Sequence, residues 1–535
     1  MAKLRRQNFL KGALIIAIAH LFVKGVGALF KIPLTRFILG PDGIGIYNAS
    51  YTIYNALFII STAGLPVAIS KMVSESIARG NYYEANKIFR ISKILLFLLG
   101  VIGAAILFFG AEMFAGYLKV SSANMAIMAM APSLFFVSIM SAYRGYFQGM
   151  SNMIPTAASE AIEASGKLFI GLVLAYMFLP MGKEYAATGA ILGVSTGTFL
   201  GAAFLFVYYQ KVKKSVNAQI TNKTELMRVT PKAKTILAKM VKLAVPITMG
   251  ASVFTLASVI DLAMILRQLE SLGFDETART TMYGYYSGYA VTMFNVPPTI
   301  IASLSVSIVP AIAAALVKKD ILKARKTTET ALRMTFLFAL PCAIGMSVLS
   351  APILNLLFND TGAATLLSIL SYGILFVSIV MVSNSVIQST GRVWIPVVHM
   401  CIGGAVKVLV NYVLVGNIDI NINGAPVGTV LCYLVTAMLN LISIHKHLHP
   451  SYGVGFVVKS ILSAAVMGFL ADFLYKYTIV HTGSNFISLM FTVVVAAGVY
   501  LLLILLTRAV NRQDLESMPG SQRFLPYLER FFKIK

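Results

Sequence analysis

Fourteen stretches of about 20 or more mostly apolar residues follow one another along the chain. They lie at about 10–36, 44–70, 91–117, 122–147, 155–179, 186–210, 240–268, 283–312, 330–357, 364–388, 395–415, 424–446, 456–478 and 484–507. A soluble core cannot cover so many apolar helices, whereas a bilayer accepts each as a span because a helix satisfies its own backbone hydrogen bonds. Composition agrees: 58% of residues are hydrophobic and 12% charged, about half the charged fraction of a soluble domain. The first run is too long for a signal-peptide core and lacks a small-residue cleavage pattern, so it counts as the first helix. The expected fold class is an all-α integral membrane protein.

An even number of spans puts both termini on one side. The N-terminal Lys3, Arg5, Arg6 and Lys11, the Lys71–Lys93 loop, the long Lys211–Lys239 loop, Lys318–Arg333 and the C-terminal tail hold most of the 44 lysines and arginines. The opposite loops hold few, and one of them carries Glu270, Asp275 and Glu276. Positive residues mark the cytoplasmic side, so both termini are expected there. Topology and anionic lipid headgroups then account for the net charge of +24. A nucleic-acid binder would need a soluble basic face, and the chain has no room for one. Cys342, Cys401 and Cys432 sit in apolar segments without paired spacing or a neighbouring histidine, which excludes a disulfide framework and a zinc site. His445, His447 and His449 read as polar residues at a helix end.

The chain also repeats itself. Gln148 and Lys167 recur as Gln388 and Lys407, and Asn55 as Asn295, at an offset of 240; Ala85 and Lys87 recur as Ala324 and Lys326 at 239. The expected organisation is an N-lobe of six helices over 1–212, a basic cytoplasmic linker over 213–239, a C-lobe of six helices over 240–450, two further helices over 456–507 and a tail over 508–535. Six spans per half make the repeats parallel, an arrangement that alternating-access transporters use around a central site. Pro33, Pro66, Pro246, Pro297, Pro298 and Pro341 interrupt spans and supply kinks for rocking.

Charges inside a membrane are costly and mark functional positions. In the first helix His20, Lys24, Gly27 and Lys31 fall on one face, with Arg36 beyond Pro33. In the fifth, Thr156, Glu160, Glu163 and Lys167 form a stripe on which Glu163 and Lys167 have the spacing of an ion pair. Lys407 repeats Lys167, but Met400 and Gly403 stand near where the acids would recur, so Asp261 of helix 7 or an anionic substrate is its expected partner. Lysines without acids on their own helix point to an anion-binding cavity. Tyr47, Tyr51 and Tyr54, with Phe58, line one side of helix 2 and offer faces on which sugars could stack.

Two segments, GLPVAISKMVSE at Gly64–Glu75 and RGYFQGMSNMIPTA at Arg144–Ala157, carry a family resemblance. They resemble the polysaccharide-exporter branch of the multidrug/oligosaccharidyl-lipid/polysaccharide (MOP) flippase superfamily, near the stage V sporulation protein B and MurJ-type lipid II flippase groups. The resemblance covers essentially the whole chain and implies a V-shaped bundle whose cationic cavity takes a diphosphate-sugar headgroup. It matches the family's first-helix basic residues to Lys24, Lys31 and Arg36. The family's basic residues in helices 2 and 8 have no counterpart here, and Lys167 and Lys407 are available to supply that charge. It also implies a sodium site, for which Asp261, Asn411 and Thr429 resemble ligands, although Val415 stands where a second carboxylate would follow Asn411.

The expected function is movement of an undecaprenyl-diphosphate-linked saccharide, such as the peptidoglycan precursor lipid II, from the inner to the outer leaflet of the bacterial cell membrane. Partners are that lipid, anionic lipids at the cytoplasmic face and, as candidates, cell-wall synthesis proteins. No cofactor other than a coupling Na+ is expected, and no P-loop is present. The alternatives are a flippase for another polyprenyl-linked polysaccharide or a sporulation-specific precursor, and a multidrug cation antiporter of the same superfamily, which would favour an acidic cavity. An enzyme acting on lipid carriers would need positioned acids, bases or a metal; the short outer loops offer none.

Overall fold

The computed structural model describes residues 9–223, 231–301, 312, 315–316, 318, 320–450 and 453–509. Among them every regular element is helical. The helices are α1 (Phe9–Pro33), α2 (Gly40–Thr62), α3 (Gly64–Ala78), α4 (Tyr82–Phe109), α5 (Ala111–Leu118), α6 (Asn124–Gly149), α7 (Ile154–Phe178), α8 (Lys183–Lys223), α9 (Ala233–Ser271) and α10 (Glu276–Gly284). They continue as α11 (Val291–Phe294), α12 (Ile321–Val348), α13 (Ser350–Phe358), α14 (Ala364–Ser371), α15 (Gly373–Ser389), α16 (Ile395–Val415), α17 (Gly424–Leu448), α18 (Val454–Thr482) and α19 (Asn485–Leu506).

Eleven helical runs among the described residues are long and apolar enough to cross a bilayer, or twelve if α14 and α15, bent by 43°, form one span. The expected number was fourteen, and the difference has two sources. The first and second expected spans fall in one run, Ile18–Ala78, of 61 residues, about three times the length a bilayer needs. That run loosens into a π turn at Leu34–Leu39 and changes course at Gly40, whose φ of +65° precedes Pro41. A glycine adopts that angle without penalty, and proline disfavours a helical residue before it. The second source is the expected span 283–312, of which 302–311 lie outside the described residues, as do 224–230 of the expected linker and 510–535 of the tail.

The repeat is visible in the backbone. Asn81 caps α4 by accepting from Glu84 N, and Asp320, 239 residues later, caps α12 by accepting from Lys323 N, both at 2.9 Å. Lys119 and Asn359, 240 apart, end α5 and α13 in the left-handed conformation. After α6 the carbonyl of Gln148 accepts from Ser151 N, and after α15 that of Gln388 accepts from Gly391 N, again both at 2.9 Å. Ser151 and Gly391 both have positive φ. Pro155 and Pro396 then open α7 and α16 in the first turn, where a missing N–H costs nothing.

The chain gathers into two compact units, Met1–Glu270 with Phe274–Gly284, and Ser271–Gly273 with Tyr285–Lys535. Helix α9, apart from Ser271, and helix α10 thus belong with α1–α8. In the first unit Phe89 stacks on Tyr146 at 4.2 Å and meets Tyr209 at 5.0 Å, in a core with Ile69, Val73 and Phe147. Helix α9 joins this unit through Lys239 and Glu75 at 2.8 Å and through Gly64 N, which donates to Thr248 Oγ1 at 3.1 Å. Helix α10 crosses α2 where Gly45 faces the Thr280 carbonyl and Gly284 that of Pro41. Glu276 Oε1 accepts from Ser122 N at 2.8 Å, and Glu270 lies 3.5 Å from both Lys119 and Arg279. In the second unit α18 and α19 pack on α12, where Tyr500 donates to the Leu337 carbonyl at 3.0 Å.

The α7–α8 seam positions the site. Gly189, Gly193, Gly197 and Gly201 recur every fourth residue of α8, and a Cβ at Gly193 would fall on the backbone of Gly171. Small residues let membrane helices approach to backbone contact, and the same ladder meets the backbone of Glu163 and Lys167 within the charged stripe. Gly193→Val is expected to cost about 1–3 kcal/mol by overpacking, read as a lowered Tm. A second outcome concerns pH. Burial raises the Glu276 pKa, but hydrogen bonds from Ser122 and Ser121 and the charge of Arg279 outweigh it and hold the carboxyl below its usual range. Its stabilisation is therefore full above the ordinary carboxylate pKa and lost as pH falls through the depressed one. The Tm difference between wild type and Glu276→Gln, worth about 1 kcal/mol at neutral pH, should close in acid.

Candidate functional site

Helices α1, α2, α6, α7 and α8 enclose a cavity of about 310 Å³ in the first unit. Its ionisable lining is His20 from α1, Arg144 from α6, and Glu160, Glu163 and Lys167 from α7. Phe30, Tyr51, Tyr54 and Phe58 complete an aromatic wall.

Glu163 does not pair with Lys167, as spacing along one helix suggests. Its Oε2 is 2.8 Å from Arg144 Nη2, across from α6. Arg144 Nε also donates to Ser159 Oγ at 3.0 Å, and Ser159 donates to the Thr156 carbonyl at 2.7 Å. A planar guanidinium can meet carboxylate and hydroxyl together, which a lysine one turn along the same helix cannot. Lys167 lies instead with its Nζ 4.9 Å from the ring centre of Phe30 and 5.0 Å from that of Tyr51. Cation–π contacts hold it there, and no carboxylate among the described residues lies within ion-pair distance of it. Glu160 Oε2 lies 3.4 Å from His20 Nε2, long for a hydrogen bond, and accepts none.

The other expected residues divide as follows. Lys24 is exposed and outside the cavity lining; Lys31 is half-buried, outside the lining, yet within electrostatic reach of Lys167. The face of α1 that lines the cavity carries His20, Val23, Gly27 and Phe30 and is rotated from the lysine stripe. Arg36, on the π turn, lies over the Phe37 ring at 5.1 Å. Tyr47, Tyr51, Tyr54 and Phe58 contact one another in sequence, with centroids 5.7–5.9 Å apart. Tyr47 is buried behind the wall, while Tyr51 and Tyr54 line it, and Tyr54 OH accepts from Ser133 Oγ at 2.9 Å. Asp261 is half-buried on α9 in the first unit and Lys407 half-buried on α16 in the second. Asn411 and Thr429 are buried in the second unit, where Asn411 packs on Gly428 and Thr429 Oγ1 meets Tyr286 OH at 2.9 Å.

Arg144 is the functional candidate that the sequence reading passed over, although it stands inside one of the two family segments. The signal was available: it is an arginine near the end of an apolar run, subject to the same cost argument as the lysines. The second unit carries a neutral version of this constellation. Asn384 stands 240 residues from Arg144, and Asn440 donates to Asn384 Oδ1 at 2.8 Å and to Ser383 Oγ at 2.9 Å while meeting His399 at 2.7 Å.

A duplicated apolar bundle holding a cavity of cations, carboxylates and aromatic rings defines a polytopic transporter rather than a rigid scaffold. The chain belongs to the polysaccharide biosynthesis protein family, whose model matches residues 9–317, and the MatE model matches residues 284–413. It is 26% identical over 515 residues to stage V sporulation protein B of Bacillus subtilis (strain 168), covering 96% of this chain and 98% of that one. To the lipid II flippase MurJ of the same organism it is 23% identical over 482 residues, covering 86% and 87%. The solved structure of a lipid II flippase MurJ in an inward closed conformation matches with a TM-score of 0.67 at 14% identity, over 92% of this chain and 98% of that one. An inward-facing MATE family multidrug resistance transporter matches with the same TM-score and identity over 82% and 98%. The fold and the family are those of the MOP superfamily, as the two sequence segments implied.

If Arg144 and Glu163 stabilise one another, their substitutions must be non-additive. Arg144→Gln leaves a partly buried carboxylate uncompensated and should lower Tm, while adding Glu163→Gln should recover part of the loss. A double-mutant cycle is expected to give a coupling of about 1–3 kcal/mol; additive losses would refute the coupling.

Proposed function

We propose that the protein flips a polyprenyl-diphosphate-linked saccharide from the inner to the outer leaflet of the bacterial cytoplasmic membrane, with both termini cytoplasmic. The observation that carries this reading is Lys167: an intramembrane ammonium on aromatic faces inside a cavity, with a guanidinium across the same space. An anionic headgroup can take the Lys167 ammonium by displacing weak ring contacts, and Tyr51 and Tyr54 offer edges and faces to the attached sugar. Arg144, with its fork of donors, suits a diphosphate oxygen. An interior-negative potential favours outward movement of each uncompensated negative charge by about 2.3 kcal/mol per 100 mV.

The named lipid II flippase among the relatives supports lipid II as the first substrate to test. The stage V sporulation protein B relative, matched over nearly its whole length, supports a precursor made during sporulation. Sodium is the coupling ion we propose, with Asn411 and Thr429 contributing oxygens. The two carboxylates in the cavity favour testing one further reading, a cation antiporter.

Proteoliposomes loaded with fluorescent lipid II or another polyprenyl-diphosphate saccharide, with ethidium as the cationic probe, separate these readings. The expected result is movement of the lipid-linked saccharide, reduced at least tenfold by Lys167→Ala, as loss of a charge-assisted contact of about 1.5–3 kcal/mol implies. Movement of ethidium alone would overturn the flippase reading. Equal lipid movement in the variant would remove Lys167 from the site.

A further inference from the structure

We infer that the cavity takes up a proton together with its anionic ligand, and that Glu160 receives it. This inference rests on the anion-binding reading of the cavity and adds a second ligand to it.

The permanent charges on the lining are two cations, Arg144 and Lys167, against two carboxylates, Glu160 and Glu163, with His20 beside Glu160. The lining is therefore balanced, not cationic. The lysines expected to tip it, Lys24 and Lys31, are not part of it. A diphosphate entering this space adds at least two negative charges to an apolar bundle, where uncompensated charge is costly. Glu160 and Glu163 would also turn acceptor-only oxygens toward an acceptor-only ligand. Either a cation enters as well, or a carboxylate loses its charge.

The two carboxylates are not equivalent. Glu163 is held at 2.8 Å by Arg144, and protonating it would forfeit that pair. Glu160 has no such pair: its buried Oε2 accepts no hydrogen bond, and His20 stands 3.4 Å away. The groups facing Glu160 are His20 from α1, Arg144 from α6, and Glu163 on its own helix. Helix α2 presents Tyr51 and Tyr54 to the cavity, and α8 carries no Asp, Glu, Lys, Arg or His between Thr188 and Gln210. Of the two cavity carboxylates Glu160 is thus the one whose protonation breaks less. A solvent proton bonds to its carboxylate, removes one negative charge and turns an acceptor oxygen of the cavity lining into an O–H donor. The lining becomes singly positive and gains a donor for a phosphate oxygen.

The expected consequence is linkage: affinity for a diphosphate falls as pH rises, by up to about tenfold per pH unit for one coupled proton. Calorimetric titration of the full-length protein in detergent with undecaprenyl diphosphate, repeated in buffers of different ionisation enthalpy, counts the protons directly. About one proton should be taken up per diphosphate bound by wild type, beyond whatever Glu160→Gln takes up, the difference cancelling the ligand's own ionisation. His20→Asn should leave the uptake in place. Infrared difference spectra of wild type should show a protonated carboxyl band on adding undecaprenyl diphosphate, which needs no variant to fold. Binding without proton uptake and without that band overturns this inference and leaves the anion-binding reading standing. Uptake abolished by His20→Asn but not by Glu160→Gln overturns the assignment to Glu160. Failure of wild type to bind any diphosphate overturns both.

Discussion

A guanidinium and a carboxylate meet at 2.8 Å inside the apolar bundle of the first unit, and they fix how α6 and α7 meet at the cavity. Each charge alone would be intolerably costly there, and together they are tolerated only where geometry supplies further partners. Ser159 supplies one, joining α6 to the first turns of α7. The glycine ladder of α8 is the complement of this pair. It brings the backbone of α8 against that of α7 at Ser159, Glu163, Lys167 and Gly171. Electrostatics and small-residue packing thus act on one helix, and the cavity lies beside the seam.

The duplication is faithful in backbone and unfaithful in chemistry. Helix caps, left-handed terminations and helix-opening prolines recur at offsets of 239 to 241, because they are set by local rules that a copied sequence keeps obeying. The ionisable set does not recur. Asn384 stands for Arg144, the acids have no counterpart, and Asn440 satisfies its neighbours with neutral hydrogen bonds. Lys407 alone keeps the charge of its equivalent, Lys167. The two halves can therefore share a fold while the first carries a titratable cavity and the second a neutral network.

This difference also explains what the sequence made legible. The α7 stripe and most spans follow from periodicity within one segment at a time, and the repeat from matching segments about 240 residues apart. The Arg144–Glu163 pair depends on α6 and α7 meeting in space, so helical spacing assigned Glu163 the wrong cation. Lys24 and Lys31 lie outside the cavity lining for a related reason: the spacing defines a common face of α1 but not which side of it the neighbouring helices enclose. The π turn at Leu34–Leu39 and the turn at Gly40 left only a Gly-Pro pair as a trace, and the two flanking spans read as separate although helix runs nearly through them.

The way Lys167 is held bears on how a carrier can release what it binds. A carboxylate partner would satisfy the ammonium so well that an anion could compete only by breaking an ion pair in a poorly solvated space. Ring faces hold it by about 0.5–2 kcal/mol each, enough to fix its position and little enough to surrender. Arg144 is in the opposite condition, tied to Glu163 and Ser159 and correspondingly rigid. One cation is thus exchangeable and the other fixed, within a lining whose charges balance. For the anion carrier proposed above, a lining whose permanent charges balance lets the net charge change with a single proton.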